Sequence, residues 1–246
     1  MSQWLQGRVF ENRHWTETLF SLRVEAPALR FTAGQFVRIA LDIRGARVAR
    51  PFSFVNAPAD PVLEFYGVIV PEGPLSPRLA ELRAGDRLYV ADNPSGFLVL
   101  AEVPPAEDLW MLATGTCIAP FLSILRTDAP WRQYRRVILV HAARYAKELV
   151  YGDLIQEIFR GHPDKFVPIK FTSREKTPDT LQGRIPAAIR DGRLEAAAGA
   201  IAPERSQFML CGNPQMLKDV TAALVERGFR KHRRRAPGHI TVESFW

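Results

Sequence analysis

Arg50, Phe52 and Ser53 place a guanidinium, a planar ring and a hydroxyl at positions i, i+2 and i+3, with Pro51 between them. Such a set can clamp an anion, offer a stacking face and donate a hydrogen bond, which is what a flavin with its pyrophosphate requires. Other segments suit related chemistry. Gly115 and Thr116 follow an apolar run; a residue without a Cβ lets the backbone approach a phosphate, and Pro120 suits a first helical turn. The loop is neither a G-x-G-x-x-G fingerprint nor a P-loop, so it also reads as an ordinary structural turn. Cys211, Gly212, Asn213 and Pro214 follow a second apolar run, and the chain closes on the aromatic pair Phe245 and Trp246. Cys211 reads either as a buried structural thiol or as a small soft contact beside a nicotinamide. No base is recognisable next to it, so no covalent catalysis is assigned.

Two more loops carry cations. One is His141-Ala142-Ala143-Arg144; the other is Ser173-Arg174, with Arg184 a few residues on. Singly, these are ordinary surface arginines. At the ends of successive strands they can supply bidentate, charge-assisted bonds to a phosphomonoester, the group that distinguishes NADPH from NADH.

These residues need two kinds of support. Residues 7–10, 19–24, 35–41, 62–70 and 87–90 are rich in β-branched and aromatic types with partial alternation, and Gly, Pro, Asp and Asn punctuate the gaps. With one helical segment near 76–82, they predict an antiparallel β-barrel that ends near residue 100. From about residue 108 the period changes. Apolar runs at 109–113, 137–140, 166–171 and 207–210 alternate with helical stretches at 119–125, 148–159, 185–189 and 214–227. That alternation predicts a parallel sheet with helices on both faces. The acidic, Pro-bearing stretch 102–106 is the expected boundary, giving domains of residues 1–101 and 102–246.

A chain of 246 residues that is 47% hydrophobic can bury two cores of ordinary size, and its composition is globular. No window approaches the length of a membrane span and the N-terminus lacks a signal-peptide pattern, so a cytoplasmic protein is expected. Cys117 and Cys211 are the two cysteines, too few for a disulfide framework, a zinc site or an iron–sulfur cluster. No metal is expected. The net charge of +7 favours an acidic partner, an anionic cofactor or nucleic acid. The densest basic run, residues 227–235, reads as the end of a helix presenting a solvated face, a docking site for an acidic protein or a nucleic-acid arm. No helix-turn-helix or RNP pattern accompanies it.

Barrel first and nucleotide domain second, together with these motifs, resembles the ferredoxin/flavodoxin-NADP+ reductase family, most closely its bacterial single-chain members, over essentially the whole chain. The resemblance implies an FAD-binding barrel and an NADP-binding α/β domain whose C-terminal tail returns to the flavin. It implies that Arg50, Pro51, Phe52 and Ser53 hold FAD with Tyr66, Gly67, Val68, Pro74, Leu75, Ser76, Thr116, Phe245 and Trp246. It further implies that Gly115, Thr116, Ala143, Arg144, Ser173, Arg174, Arg184, Cys211, Gly212 and Asn213 hold NADP(H). Ser53 and Glu243 would handle protons near the flavin, Cys211 would shape the nicotinamide pocket, and Phe245 would cover the flavin as a displaceable lid. Two positions depart from the family pattern. Phe52 replaces a Tyr, keeping the stacking face and losing a hydroxyl, and Cys117 replaces a Gly, adding a β-carbon beside the nucleotide loop. The expected reaction passes electrons between NADPH and an acidic ferredoxin or flavodoxin, by a monomer without nucleic acid or a membrane span. The alternatives are a flavin reductase or oxygenase reductase component with another acceptor and, more distantly, a basic nucleic-acid-binding barrel.

Overall fold

The computed structural model describes residues 3–244. Phe245 and Trp246 lie outside the described residues. Contacts divide the chain into a first unit that runs to Val99 and includes Ala119–Arg126, and a second made of Leu100–Ile118 and the chain from Thr127 onward.

The first unit holds strands β1 (Trp4–His14), β2 (Leu19–Glu25), β3 (Phe36–Ile43), β4 (Ala46–Ser53), β5 (Leu63–Val68) and β6 (Arg87–Ala91), with helices α1 (Ser76–Glu81) and α2 (Ala119–Leu125). The strands form an antiparallel sheet in the order β4-β3-β6-β1-β2-β5. A single bridge between Phe54 and Phe65 then joins the two outer strands and closes the barrel. Alternate residues fill it: Phe20, Leu22, Val24, Val37, Ile39, Phe54, Phe65, Leu88 and Val90 are buried in one cluster. Strand β4 escapes the sequence reading because Arg47, Arg50 and Pro51 interrupt its apolar pattern. Its hairpin to β3 is specified by Arg44 at φ 51° and Gly45 at φ 79°, the two positive values that a tight I′ turn requires.

Chain order alone groups α2 with residues 102–246. Contact puts it in the first unit, where Ser123 Oγ donates to the Asn56 carbonyl at 2.7 Å and Arg126 pairs with Asp60 at 2.8 Å and Glu64 at 3.6 Å. A helix without acidic or basic caps of its own is held by the polar groups it finds, and these lie on the loop after β4 and on β5.

The second unit holds β7 (Asp108–Thr114), β8 (Arg136–Ala143), β9 (Phe166–Thr172), β10 (Leu181–Gln182), β11 (Ser206–Gly212) and β12 (Ile240–Ser244). Its helices are α3 (Ala129–Gln133), α4 (Gly152–Gly161), α5 (Ile185–Arg190), α6 (Arg193–Ala198) and α7 (Pro214–Val225). All neighbouring strands are parallel, in the order β10-β9-β8-β7-β11-β12. Trp110, Leu112, Ile138, Val140, Phe171, Phe208 and Leu210 form one face, packed against Ile189, Leu217, Val220 and Leu224 of the helices. Leu109, Met111, Val137, Leu139 and Met209 are buried on the other, which makes the strands read as continuous apolar runs. The chain winds outward from β7 through β10 and then returns to the opposite side of β7. The order therefore reverses between β7 and β11.

Two helix boundaries differ from expectation. The stretch expected as a helix over 148–159 begins at Gly152, because Tyr151 sits at φ 63° and Glu148 folds back on the preceding turn. Helix α7 stops at Val225 rather than running into the basic segment, and Gly228, at φ 89°, turns the chain. The basic run is a loop, pinned by bridges between Lys231 and Ile240 and between Arg233 and Ala236.

Candidate dinucleotide sites

On the barrel, the Phe54–Phe65 bridge sets the register of everything before it. Continuing that antiparallel pairing opposes Ser53 to Tyr66 and Phe52 to Gly67. The second opposition is tight: a Cβ on Gly67 would lie 2.9 Å from ring atoms of both Phe20 and Phe52. Phe52 thus rests on the glycine, meets Phe65 edge-on with ring centroids 6.5 Å apart, and stays half-buried. Ser53 and Tyr66 are buried, while Arg50 is exposed with its Nη1 donating to the Ala49 carbonyl at 2.8 Å. Pro51 has no N–H to leave unpaired at this edge of the sheet. The loop after β5 brings up the remaining group. Ser76 Oγ accepts from the Val70 N–H at 2.9 Å and Gly73 N–H bonds the Val70 carbonyl at 2.8 Å, which holds exposed Pro74 and buried Leu75 next to the end of β5 at Val68.

In the second unit, the reversal between β7 and β11 is the crevice where open α/β sheets bind ligands. β7 ends at Thr114, and the chain turns through Gly115, at φ 56°, into a short 3-10 turn over Gly115–Ile118. A Cβ at Gly212 would lie 2.7 Å from both Thr114 Oγ1 and Met216 Sδ, so only glycine lets the two strand ends approach this closely. Asn213 Oδ1 accepts from the Met216 N–H at 2.9 Å and caps α7, with Pro214 in the first turn. Register aligns Lys170, His141, Ala113, Cys211 and Glu243 in one row across β9, β8, β7, β11 and β12. Burial pushes the Cys211 thiol well up, and its contacts with the Cys117 thiol and the Glu243 carboxylate push it further. It is a neutral, soft wall. His141 is also buried; its Nε2 lies 3.2 Å from the Gly115 carbonyl, and burial lowers its pKa to about 4, with Lys170 adding to the effect.

The cation loops converge at the neighbouring strand ends. Ser173 N–H bonds the Ala143 carbonyl at 3.0 Å and Arg174 N–H bonds the Arg144 carbonyl at 2.9 Å, carrying the β8–β9 pairing past the sheet. Gly183 N–H bonds the Thr172 carbonyl at 2.8 Å, which carries the β9–β10 pairing one residue further, and Arg184 follows directly before α5. Arg144, Ser173, Arg174 and Arg184 are all exposed. Sequence reading missed Glu148. Its carboxylate accepts from Arg144 N–H at 2.9 Å and from Arg144 Nη2 at 3.0 Å, so Arg144 is oriented and partly neutralised. The signal was the i, i+4 spacing of the two charges.

Residues 111–222 match the oxidoreductase NAD-binding domain family, a span from β7 into α7. The chain is 50% identical over 100% of its length, and 100% of the relative's, to a flavodoxin/ferredoxin–NADP reductase of Escherichia coli. It belongs to the flavodoxin/ferredoxin–NADP reductase family. A ferredoxin–NADP reductase of Pseudomonas aeruginosa is 36% identical over 99% of this chain and 98% of its own. Among solved structures, a ferredoxin NADP+ reductase from Neisseria gonorrhoeae with bound FAD and NADP superposes with a TM-score of 0.95 at 32% identity, covering 100% of both chains. The two-domain architecture of a reductase of this family, an antiparallel barrel followed by a parallel six-stranded sheet, is the one described here.

Proposed function

We propose that this reductase holds FAD chiefly on the barrel of residues 1–101 and NADPH on the parallel-sheet region of residues 102–246, and passes electrons between NADPH and a ferredoxin or flavodoxin. The observation that carries the nucleotide assignment is the convergence of Arg144, Ser173, Arg174 and Arg184 on adjacent strand ends. Three guanidinium groups and a hydroxyl have the charge and the donor types that a 2′-phosphate takes. Gly115, Thr116 and Ala143 lie on the same rim and would follow the backbone of the dinucleotide. Cys211, Gly212 and Asn213 would line the nicotinamide end, where a neutral thiol gives shape without a competing nucleophile.

The residues on the barrel fit a flavin. Phe52 presents a backed ring, Arg50 an exposed guanidinium and Ser53 a hydroxyl, with Tyr66, Gly67, Val68 and Pro74, Leu75 and Ser76 completing the cradle. Bound flavin supplies the one capability the side chains lack, accepting two electrons as a hydride and returning them singly. Ser53 and Glu243 are the groups proposed to hold and move the proton. Thr116, Phe245 and Trp246 are proposed as further flavin contacts, with Phe245 as the lid. The carrier would dock on cations, and the exposed Arg230, Lys231, Arg233 and Arg235 of the loop after α7 offer them, Arg234 being paired with Glu102 at 2.7 Å. A cytoplasmic monomer is the working form of this reading.

The test is the visible spectrum of the purified protein, followed by anaerobic addition of NADPH and, separately, NADH. Flavin bands bleached quickly by NADPH and slowly by NADH are expected. A colourless protein that takes up no FAD would overturn the reading. Removing Phe245 and Trp246 should raise the use of NADH or alter flavin retention; unchanged kinetics would dismiss the lid.

A further inference from the structure

Gly115 is the residue at which β7 leaves the sheet. Its pairing partners stop one residue earlier, at Thr114 opposite Ala142. With φ at 56° and nothing within 4 Å of where a Cβ would stand, no side chain packs against this residue, and the 3-10 turn over Gly115–Ile118 begins at it. Glycine is also the residue most free to let its peptide rotate. Beside the turn's own hydrogen bonds, a side chain from the neighbouring strand holds this peptide: His141 Nε2 lies 3.2 Å from the Gly115 carbonyl oxygen. A carbonyl only accepts, so Nε2 carries the proton and Nδ1 does not. The imidazole is buried at 2% exposure on β8, between β7 and β9, so the donor comes from a rigid point.

The consequence lies on the other end of the same peptide. In a trans planar peptide the Gly115 carbonyl and the Thr116 N–H point in opposite directions. Anchoring the oxygen on His141 therefore aims the Thr116 N–H away from the buried imidazole. We propose that His141 is a positioning residue for NADPH, the donor that locks the Gly115–Thr116 peptide in the orientation that presents its N–H to the dinucleotide. The inference rests on the reading that Gly115 and Thr116 contact that ligand. The charged group facing the imidazole from β9 is Lys170, and β7 contributes Ala113.

The experiment compares three variants at His141 by steady-state kinetics and by NADPH titration of the oxidised flavoprotein. His141→Phe keeps a ring and removes the donor. His141→Asn keeps an amide too short to reach the Nε2 position, and His141→Gln places an N–H near it. The Phe and Asn variants should each raise the KM for NADPH roughly tenfold, as expected for one lost hydrogen bond, with kcat at saturating NADPH nearly unchanged. The Gln variant should restore most of the loss. Equal impairment in all three would assign His141 to packing, and an unchanged KM in the Phe and Asn variants would overturn the proposal. Gly115→Ala tests the reading beneath the inference: the added methyl meets no protein atom within 4 Å, and because an alanine at φ 56° strains the backbone, its Tm is read beside the KM. Gly115→Ala without effect on NADPH would remove the reading beneath the inference. A raised KM there beside a normal KM in His141→Phe would remove the inference alone.

Discussion

Arg144 already has a carboxylate partner, whereas Arg174 and Arg184 make no ion pair among the described residues. The three arginines should therefore contribute unequally to a 2′-phosphate. Arg174→Ala with Arg184→Ala should raise the KM for NADPH by about two orders of magnitude and leave that for NADH within about twofold, since charged hydrogen bonds are worth roughly 1.5–3 kcal/mol each. Arg144→Ala should cost less, because Glu148 competes for it. Equal losses with both nucleotides would take these residues away from the phosphate. His141 makes a separate prediction. Its folded pKa of about 4 lies below the ordinary value of 6.5, so the unfolded chain takes up a proton that the folded one refuses. Stability from this site is whole above pH 6.5 and is lost as the pH falls toward 4, by about 3 kcal/mol in total. Urea midpoints at pH 7 and 4.5 should separate further in the wild type than in His141→Gln; the same separation in both would acquit the imidazole.

At the scale of elements, the proposed flavin cradle depends on two strands that the hydrophobic pattern ranks very differently. β5 reads as a strand from its Leu63, Phe65 and Tyr66, while β4 is broken by arginines and a proline and is defined only by its pairing with β3. Their single bridge at Phe54 and Phe65 decides which side chains face each other. Gly67 is where that arrangement is least forgiving. Gly67→Ala forces its methyl against Phe20 and Phe52, and overpacking of this kind costs roughly 1–3 kcal/mol. The expected outcome is a lower Tm together with weaker FAD retention, read from absorbance after gel filtration. A loss of stability with full flavin retention would show that the Phe52 ring is not part of the cradle. The polar loops of the second unit behave differently: a one-residue extension of the β8–β9 pairing, rather than packing, brings Arg144 and Arg174 together.

For the whole molecule, the net charge of +7 sets the long-range field that an acidic carrier meets. Part of the dense basic run is an exposed loop rather than a helical face, and only Arg234 within its 230–235 stretch has an ion-pair partner among the described residues. The second-order rate of carrier reduction should fall about tenfold between roughly 0.02 and 0.5 M ionic strength, as the Debye length shrinks from about 20 Å to a few ångströms. Stopped-flow rates that ignore salt would move carrier docking to an uncharged surface.

Much of this molecule was legible from residue order. The change from a period of two to alternating strands and helices near residue 108, and the Arg50, Phe52 and Ser53 set, are local patterns, and side-chain alternation is a local property of the backbone. They determine that a barrel precedes a parallel sheet, and they nominate the residues for two dinucleotides. Strand neighbours are not local. That β11 lies beside β7, making the crevice at Gly115 and Gly212, and that α2 joins the barrel unit, follows from long-range packing that no window of sequence contains. The same holds for His141, which in sequence is one polar residue in an apolar strand. Only the register that sets β8 beside β7, and the turn at Gly115 that folds back over it, make that imidazole a buried donor with a carbonyl to hold.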